Sequence, residues 1–205
     1  MPREPVLKPV PISSLRPTQI TVGFREVEIR RRMLREGKKM AAPKFYERHM
    51  IPVVLGPGEH HYVLDHHHLA LALHEEGVKQ MFVTVIADLS KVDEGSFWLY
   101  LAHKAWLHPY DAKGRRRDHT DIPKRLADMS DDPFRSLAGA LRRAGGYAKD
   151  TTPFSEFLWA DFLRRRVKTS LVRHRFDKAL ERALTLAKSK DADYLPGWCG
   201  AIEDG

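Results

Sequence analysis

An acid followed by three imidazoles, Asp65-His66-His67-His68, stands between two apolar runs. Carboxylates and imidazoles carry most general acid and base chemistry, and histidine titrates near neutrality. Upstream, Tyr62-Val63-Leu64 reads as the end of a β-strand, and downstream Leu69-Ala70-Leu71-Ala72-Leu73 begins a buried helix that Gly77 stops. In that frame Asp65 is the expected N-cap. The backbone N–H groups of His66, His67 and His68 then lie at a helix start, where unpaired donors and partial positive charge suit a phosphate or carboxylate. A second role is open to Asp65, that of a cap and nothing more, accepting the N–H of His67 or His68. Consecutive helical positions diverge by about 100°, so the three imidazoles cannot converge on one metal as an i, i+4 pair does. Ligand geometry thus disfavours a tri-histidine metal site, and whether a divalent metal ion or a nucleotide serves as cofactor stays open.

A second dense stretch runs from Trp106 to Asp118 and holds His108, Tyr110, Asp111, Lys113, Arg115 and Arg116 around the turn formers Pro109 and Gly114. Loops aim functional groups from a rigid scaffold, so Lys113, Arg115 and Arg116 are candidates to receive a phosphate-bearing ligand. A polar interhelix loop with a solvated basic run explains the same residues. Arginine clusters recur at Arg30–Arg32, Arg115–Arg117, Arg142-Arg143 and Arg164–Arg166. Each is either a solvated helix face or a phosphate-contacting patch.

The elements that must position these groups follow from periodicity. Val10 to Gln19 reads as a short strand and a Pro-directed turn, and a charged helix follows from about Phe24 to Met40. Ile51–Leu55, Gly56–Glu59 and His60–Leu64 form a strand, a turn and a strand, with His60 and His61 on opposite faces. Met81–Ala87 is a buried strand, and Asp88–Ser96 has the composition of a connector. Beyond it the pattern is helical: Phe97 to Trp106, Leu137 to Ala144 ahead of Gly145-Gly146, Phe154 to Leu163, and Phe176 to Ala187. The aromatic stripe at Phe154–Phe162 has the spacing of a packed helix face rather than of a base-stacking platform. The expected fold class is α+β, with an α/β module at residues 1–90 and an all-helical domain at 91–205 packed on it.

Composition narrows the classes. The 205 residues, 42% hydrophobic, suffice for a sizeable core, and the net charge of +8 favours polyanionic partners. No apolar run approaches the roughly 20 residues of a membrane span, and Met1-Pro2-Arg3-Glu4-Pro5 lacks a secretory apolar core. With the single cysteine, Cys199, a cytoplasmic location is expected, no internal disulfide can form, and thiolate-rich zinc sites are excluded. Cys199 lies far from the histidines, and no serine is linked to a histidine by spacing, so no nucleophile is evident.

The order of pieces from Val6 to Ser90 resembles the N-terminal domain of the ParB/sulfiredoxin superfamily. The pieces are Ile12-x-x-Leu15-x-Pro17, a charged helix, a strand pair, a short motif at a helix start and a closing strand. Asp65–Leu73, Trp106–Arg117, Asp131–Gly139 and Phe154–Phe162 further resemble the ParB-like nuclease family over nearly the whole chain. The resemblance implies a small mixed sheet with helices and a motif, Asp-Gly-His-His-Arg, that holds phosphate groups. Asp65, His67 and His68 match it, His66 replaces the glycine and Leu69 the arginine, which removes a bidentate anion contact. Related folds bring the first helix beside the motif, which makes Glu26 and Glu28 possible carboxylate partners.

Two functions follow. In one, a nuclease or phosphohydrolase uses Asp65, His67, His68 and Glu26 as catalytic groups, with phosphate held at His66–His68. In the other, a nucleotide-responsive or DNA-binding adaptor grips nucleic-acid phosphates without turnover, although no helix-turn-helix pairing is obvious in the helical half. A sulfiredoxin-type redox role fits poorly, because no cysteine accompanies the motif. A nucleotide or nucleic acid is the expected partner, a membrane is not, and the oligomeric state is open.

Overall fold

Alternation in Ile51–Leu55 and His60–Val63 predicts a hairpin, and the computed structural model, which describes residues 9–37 and 50–200, folds them as one. In chain order the strands are β1 (Pro9–Pro11), β2 (Arg16–Pro17), β3 (Thr21–Val22), β4 (Ile51–Gly56), β5 (His60–Val63), β6 (Gln80–Asp88) and β7 (Ser130–Asp131). The helices are α1 (Phe24–Gly37), α2 (His67–Glu75), α3 (Glu94–His103), α4 (Pro133–Arg143), α5 (Ser155–Arg164), α6 (Thr169–His174) and α7 (Phe176–Ala187). The helix expected from Phe24 is described to Gly37, and its expected end at Met40 lies outside the described residues.

Five strands form one sheet in the order β1-β6-β4-β5-β2. β4 runs antiparallel to β5 and parallel to β6, while β1 is antiparallel to β6 and β2 parallel to β5. The mixed sheet and the helices that follow it are the expected α+β class. Gly56 ends β4 where a Cβ would stand 2.6 Å from the Tyr62 ring and 2.7 Å from the Phe97 ring, so only glycine fits the approach.

α2 is buried on nearly every side, through Leu69, Ala70, Leu71, Ala72 and Leu73, as expected of an unbroken Leu/Ala run. Its stop at Gly77 is a Schellman motif: Val78 N–H donates to the Leu73 carbonyl at 3.0 Å and Gly77 N–H to that of His74 at 3.1 Å. Gly77 has φ +69°, the left-handed region that glycine enters without a Cβ penalty.

The chain divides into two compact units, and the division is not at residue 90. The first comprises residues up to Thr21, Val27–Asp111 and Arg116–Ser130; the second comprises Val22–Glu26, Ala112–Arg115 and the residues from Asp131 onward. α3 belongs with the sheet because Phe97 and Leu101 are fully buried in one cluster with Val54 and Tyr62. The second unit has its own core, in which Phe134, Leu137 and Leu141 of α4 meet Trp159 and Phe162 of α5 and the alanines of α7. The aromatic stripe of α5 is therefore core: Trp159 stacks on Tyr147 at 4.4 Å and donates from Nε1 to the Pro196 carbonyl at 2.8 Å. No helix among the described residues is long and apolar enough to cross a membrane.

Candidate functional site

α2 opens through a left-handed turn. His66, with φ +66° and ψ +26°, is the N-cap residue, and its carbonyl accepts the N–H of Ala70 at 2.8 Å. This corrects the assignment of Asp65 as the cap. The left-handed residue starts the helix one position later than expected, so Asp65 lies outside it and its carboxylate turns back onto the His66 N–H at 2.6 Å. The Asp65 side chain is 80% exposed, and its Oδ2 is 3.9 Å from His66 Nε2. The His66 side chain makes no capping hydrogen bond. A carboxylate and an imidazole thus stand together in solvent at the positive end of the helix.

His67 goes the other way. It is buried, and its Nε2 accepts the N–H of Thr18 at 3.2 Å. Thr18 Oγ1 lies 3.4 Å from that nitrogen and donates to the Val63 carbonyl at 2.7 Å. Burial pushes the His67 pKa down to about 3, against an upward pull from the Asp65 carboxylate. The ring is neutral at physiological pH and joins the start of α2 to the segment after β2. His68 is half-buried, and Leu69 is buried, giving apolar packing where the superfamily motif has its arginine.

Thr18 also connects α2 to the second dense stretch, since its carbonyl accepts the N–H of His108 at 3.0 Å. His108 is itself buried, and its ring packs on Tyr110 at 4.6 Å. Thr18 was invisible to sequence reasoning because its contribution is a peptide group rather than a side-chain signature. The basic residues of that stretch separate: exposed Arg116 bridges to Tyr110 in the first unit, whereas Lys113 and Arg115 belong to the second. Between them Gly114 has φ +71°, and a Cβ there would stand 2.7 Å from Asp161 Oδ1 and 2.8 Å from Arg164 Nη1.

Glu26 has a structural partner. It accepts two hydrogen bonds from the Arg143 guanidinium, the Nη2 contact at 2.6 Å, and its carboxyl carbon lies 2.7 Å from where a Cβ on Gly139 would be. Glu28 pairs with Arg31 at 3.1 Å. Other arginines of the clusters are engaged in the same manner. Arg142 and Arg135 both hold Glu156, and Arg164 lies between Asp132, at 2.5 Å, and Asp161. Burial raises the Asp132 pKa despite Arg164, and burial lowers that of Arg135 to about 10.

A cleft of about 420 Å³, which sequence reasoning did not identify, is lined by Pro9, Val10, Pro11, Ser14, Glu59, His60 and His61. Beside it the Arg16 guanidinium lies 2.7 Å from His60 Nε2 and 5.8 Å from the Tyr62 ring centroid. Burial, and then the Arg16 charge, lower the His60 pKa. None of Asp65–His68 lines the cleft. Among the described residues no group of three or more His, Cys, Asp or Glu could hold a metal ion, so the donors near α2 do not make a metal-ligand set by themselves.

A family model described as "Putative ParB-like nuclease" matches residues 8–165. Among solved structures the chain is similar to the crystal structure of protein Atu1540 from Agrobacterium tumefaciens, at 52% sequence identity and a TM-score of 0.90 over 97% of this chain and 100% of that one. No curated protein matches the chain.

Proposed function

The chain belongs to the ParB-like nuclease family, and from that premise we propose that it binds a phosphate group of a nucleotide or nucleic acid at the start of α2 and hydrolyses the phosphoester. The observation that carries the reading is the conformation of His66. Its φ of +66° lies where glycine is favoured, and glycine is the residue of the superfamily motif at this position. The left-handed turn supports a reading in which the amides of His67 and His68 face a phosphate, the His66 N–H being held by Asp65.

His66 and Asp65 supply the exposed imidazole and carboxylate, and His68 a second imidazole. In hydrolysis one imidazole takes a proton from the attacking water as its oxygen bonds to phosphorus, and the resulting imidazolium gives that proton to the departing oxygen as the P–O bond breaks. His67, neutral and buried, is a positioning residue that fixes the turn through Thr18. One observation favours binding without turnover: Leu69 is buried and cannot replace the missing guanidinium at the transition state.

The test uses the full chain with short labelled DNA and with nucleotides, with and without divalent metals, reading product formation and thermal shift. His66→Gly keeps the turn and removes the imidazole. The expected result is a stable protein that retains a nucleotide-dependent rise in Tm, with hydrolysis at least tenfold slower, in the range of lost acid-base catalysis. His68→Ala should lower both. Product formation unchanged in both variants would overturn the reading, and a Tm shift without any product would assign the adaptor role.

A further inference from the structure

The net charge of +8 is not spread evenly. Arg31, Arg135, Arg142, Arg143 and Arg164 are all spent on carboxylates. Between Arg165 and Arg182, by contrast, seven Lys or Arg stand against two acidic residues. All seven are exposed, and among the described residues Arg166, 3.9 Å from Asp191, is the one of them in an ion pair. This segment holds α6 and the first part of α7 in the second unit and lies, but for its first residue, outside the family-matched residues 8–165.

Helical geometry concentrates the charge further. α7 buries Ala179, Ala183 and Ala187 on one face. Lys178 and Arg182, at i and i+4, share a side of the helix about 6 Å apart along its axis, and Arg175 precedes them by one turn. Asp177 and Glu181 fall roughly 100° away on the other flank. A further cation is brought from a distant part of the chain: the exposed Arg25 guanidinium sits 4.1 Å from the ring centroid of Phe176, at the first turn of α7.

We propose that this stripe, with Arg25, Arg175, Lys178 and Arg182 at its centre, is a docking surface for the phosphate backbone of double-stranded DNA. Rows of unpaired cations match a regular polyanion and release its counterions on contact. Single-stranded nucleic acid is a poorer match, because binding it draws on exposed aromatic rings for base stacking. The one aromatic side chain in the segment, that of Phe176, is half-buried beneath Arg25. The proposal rests on the phosphate-binding reading for the class of partner but concerns a different surface.

The experiment measures affinity of the full chain for a short DNA duplex by fluorescence anisotropy across a salt series, using wild type, Lys178→Gln/Arg182→Gln and the charge-keeping Lys178→Arg/Arg182→Lys. Both positions are exposed, so the fold should tolerate either change. The expected result is binding about tenfold weaker in the glutamine variant, a log–log salt slope shallower by about 1.8, and restoration in the charge-keeping variant. Equal affinity in all three, no duplex binding by wild type at low salt, or preference for single strands or for double-stranded RNA would overturn the proposal. The nucleotide-dependent Tm shift should be unchanged in both stripe variants. Duplex binding lost in His68→Ala and kept in the glutamine variant would sink the stripe and spare the α2 site, whereas duplex binding lost in the glutamine variant with product formation unchanged in His66→Gly and His68→Ala would sink the α2 site alone.

Discussion

At His67 an ionisable ring has been used as a neutral core group. The unfolded chain protonates this imidazole near pH 6.5 and the folded chain only near 3, so between those values the unfolded state holds more protons. Stability contributed by the neutral ring is therefore complete above pH 6.5 and falls as the pH is lowered through the window, by up to about 1.4 kcal/mol per pH unit. Glu76, whose pKa the Arg35 and Arg31 hydrogen bonds lower to about 2, loses its contribution as the pH falls from the ordinary carboxylate value of 4.5 towards 2, below the interval from pH 7 to 5. Urea unfolding at pH 7, 6 and 5 should show the decline in wild type and a flatter profile in His67→Gln, which keeps an acceptor for Thr18 N–H and removes the titration. Parallel profiles would mean that His67 titrates in the folded protein as it does in the unfolded chain. Asp65-His66-His67-His68 was legible in the sequence as an unusual cluster, but its division into exposed His66 and buried His67 was not. That division depends on a single left-handed residue, and φ at a histidine leaves no mark in periodicity.

Helix ends were read well where a backbone motif sets them and poorly where tertiary contacts do. Gly145 has φ +78°, and Gly146 N–H donates to the Leu141 carbonyl at 2.9 Å, so the Gly145-Gly146 stop of α4 is the same Schellman device as at Gly77. The two-residue strands β2, β3 and β7 and the six-residue α6 were not legible, because too few residues repeat to show a period. At its other end α4 depends on Asp132, one of whose carboxylate oxygens accepts the Phe134 N–H at 2.9 Å while the other accepts from Arg164. Removing it takes away a cap worth about 1 kcal/mol and leaves a guanidinium that is only 15% exposed with Asp161 as its remaining carboxylate, at a further cost of a few kcal/mol. Asp132→Ala should lower stability by about 3–5 kcal/mol in total, while Asp132→Asn keeps the cap and should lose less. Chemical denaturation of the two variants measures the difference. Equal losses would show that the ion pair, which both variants lose, and not the cap governs the site.

For the molecule as a whole, the composition-based boundary at residue 90 and the contact-based division disagree for a physical reason. Asp88–Ser96 has the polarity of a linker, yet the chain returns from it to cover the sheet: the Asp93 carboxylate caps α3 by accepting the Ser96 N–H at 3.0 Å, and Phe97 and Leu101 then fill the space over Val54 and Tyr62. Later still, the turn at Leu126–Asp128 packs on α2, with Leu126 buried. A loop is judged polar by its own residues, whereas a unit is bounded by contacts made far along the chain, and the second cannot be read from the first. A fragment of residues 1–90 would therefore expose the Val54 and Tyr62 face and the side of α2 that Leu126 covers. With two fully buried side chains removed from one face of the sheet, at about 1.5–3 kcal/mol each, the deficit is comparable to the stability of a small domain. Far-ultraviolet circular dichroism of that fragment should show no cooperative thermal transition, and the dye 8-anilinonaphthalene-1-sulfonate should bind the exposed apolar surface. A sharp transition without dye binding would show that the sheet is self-sufficient at residue 90 and that the linker-like composition of Asp88–Ser96 marks a true domain boundary.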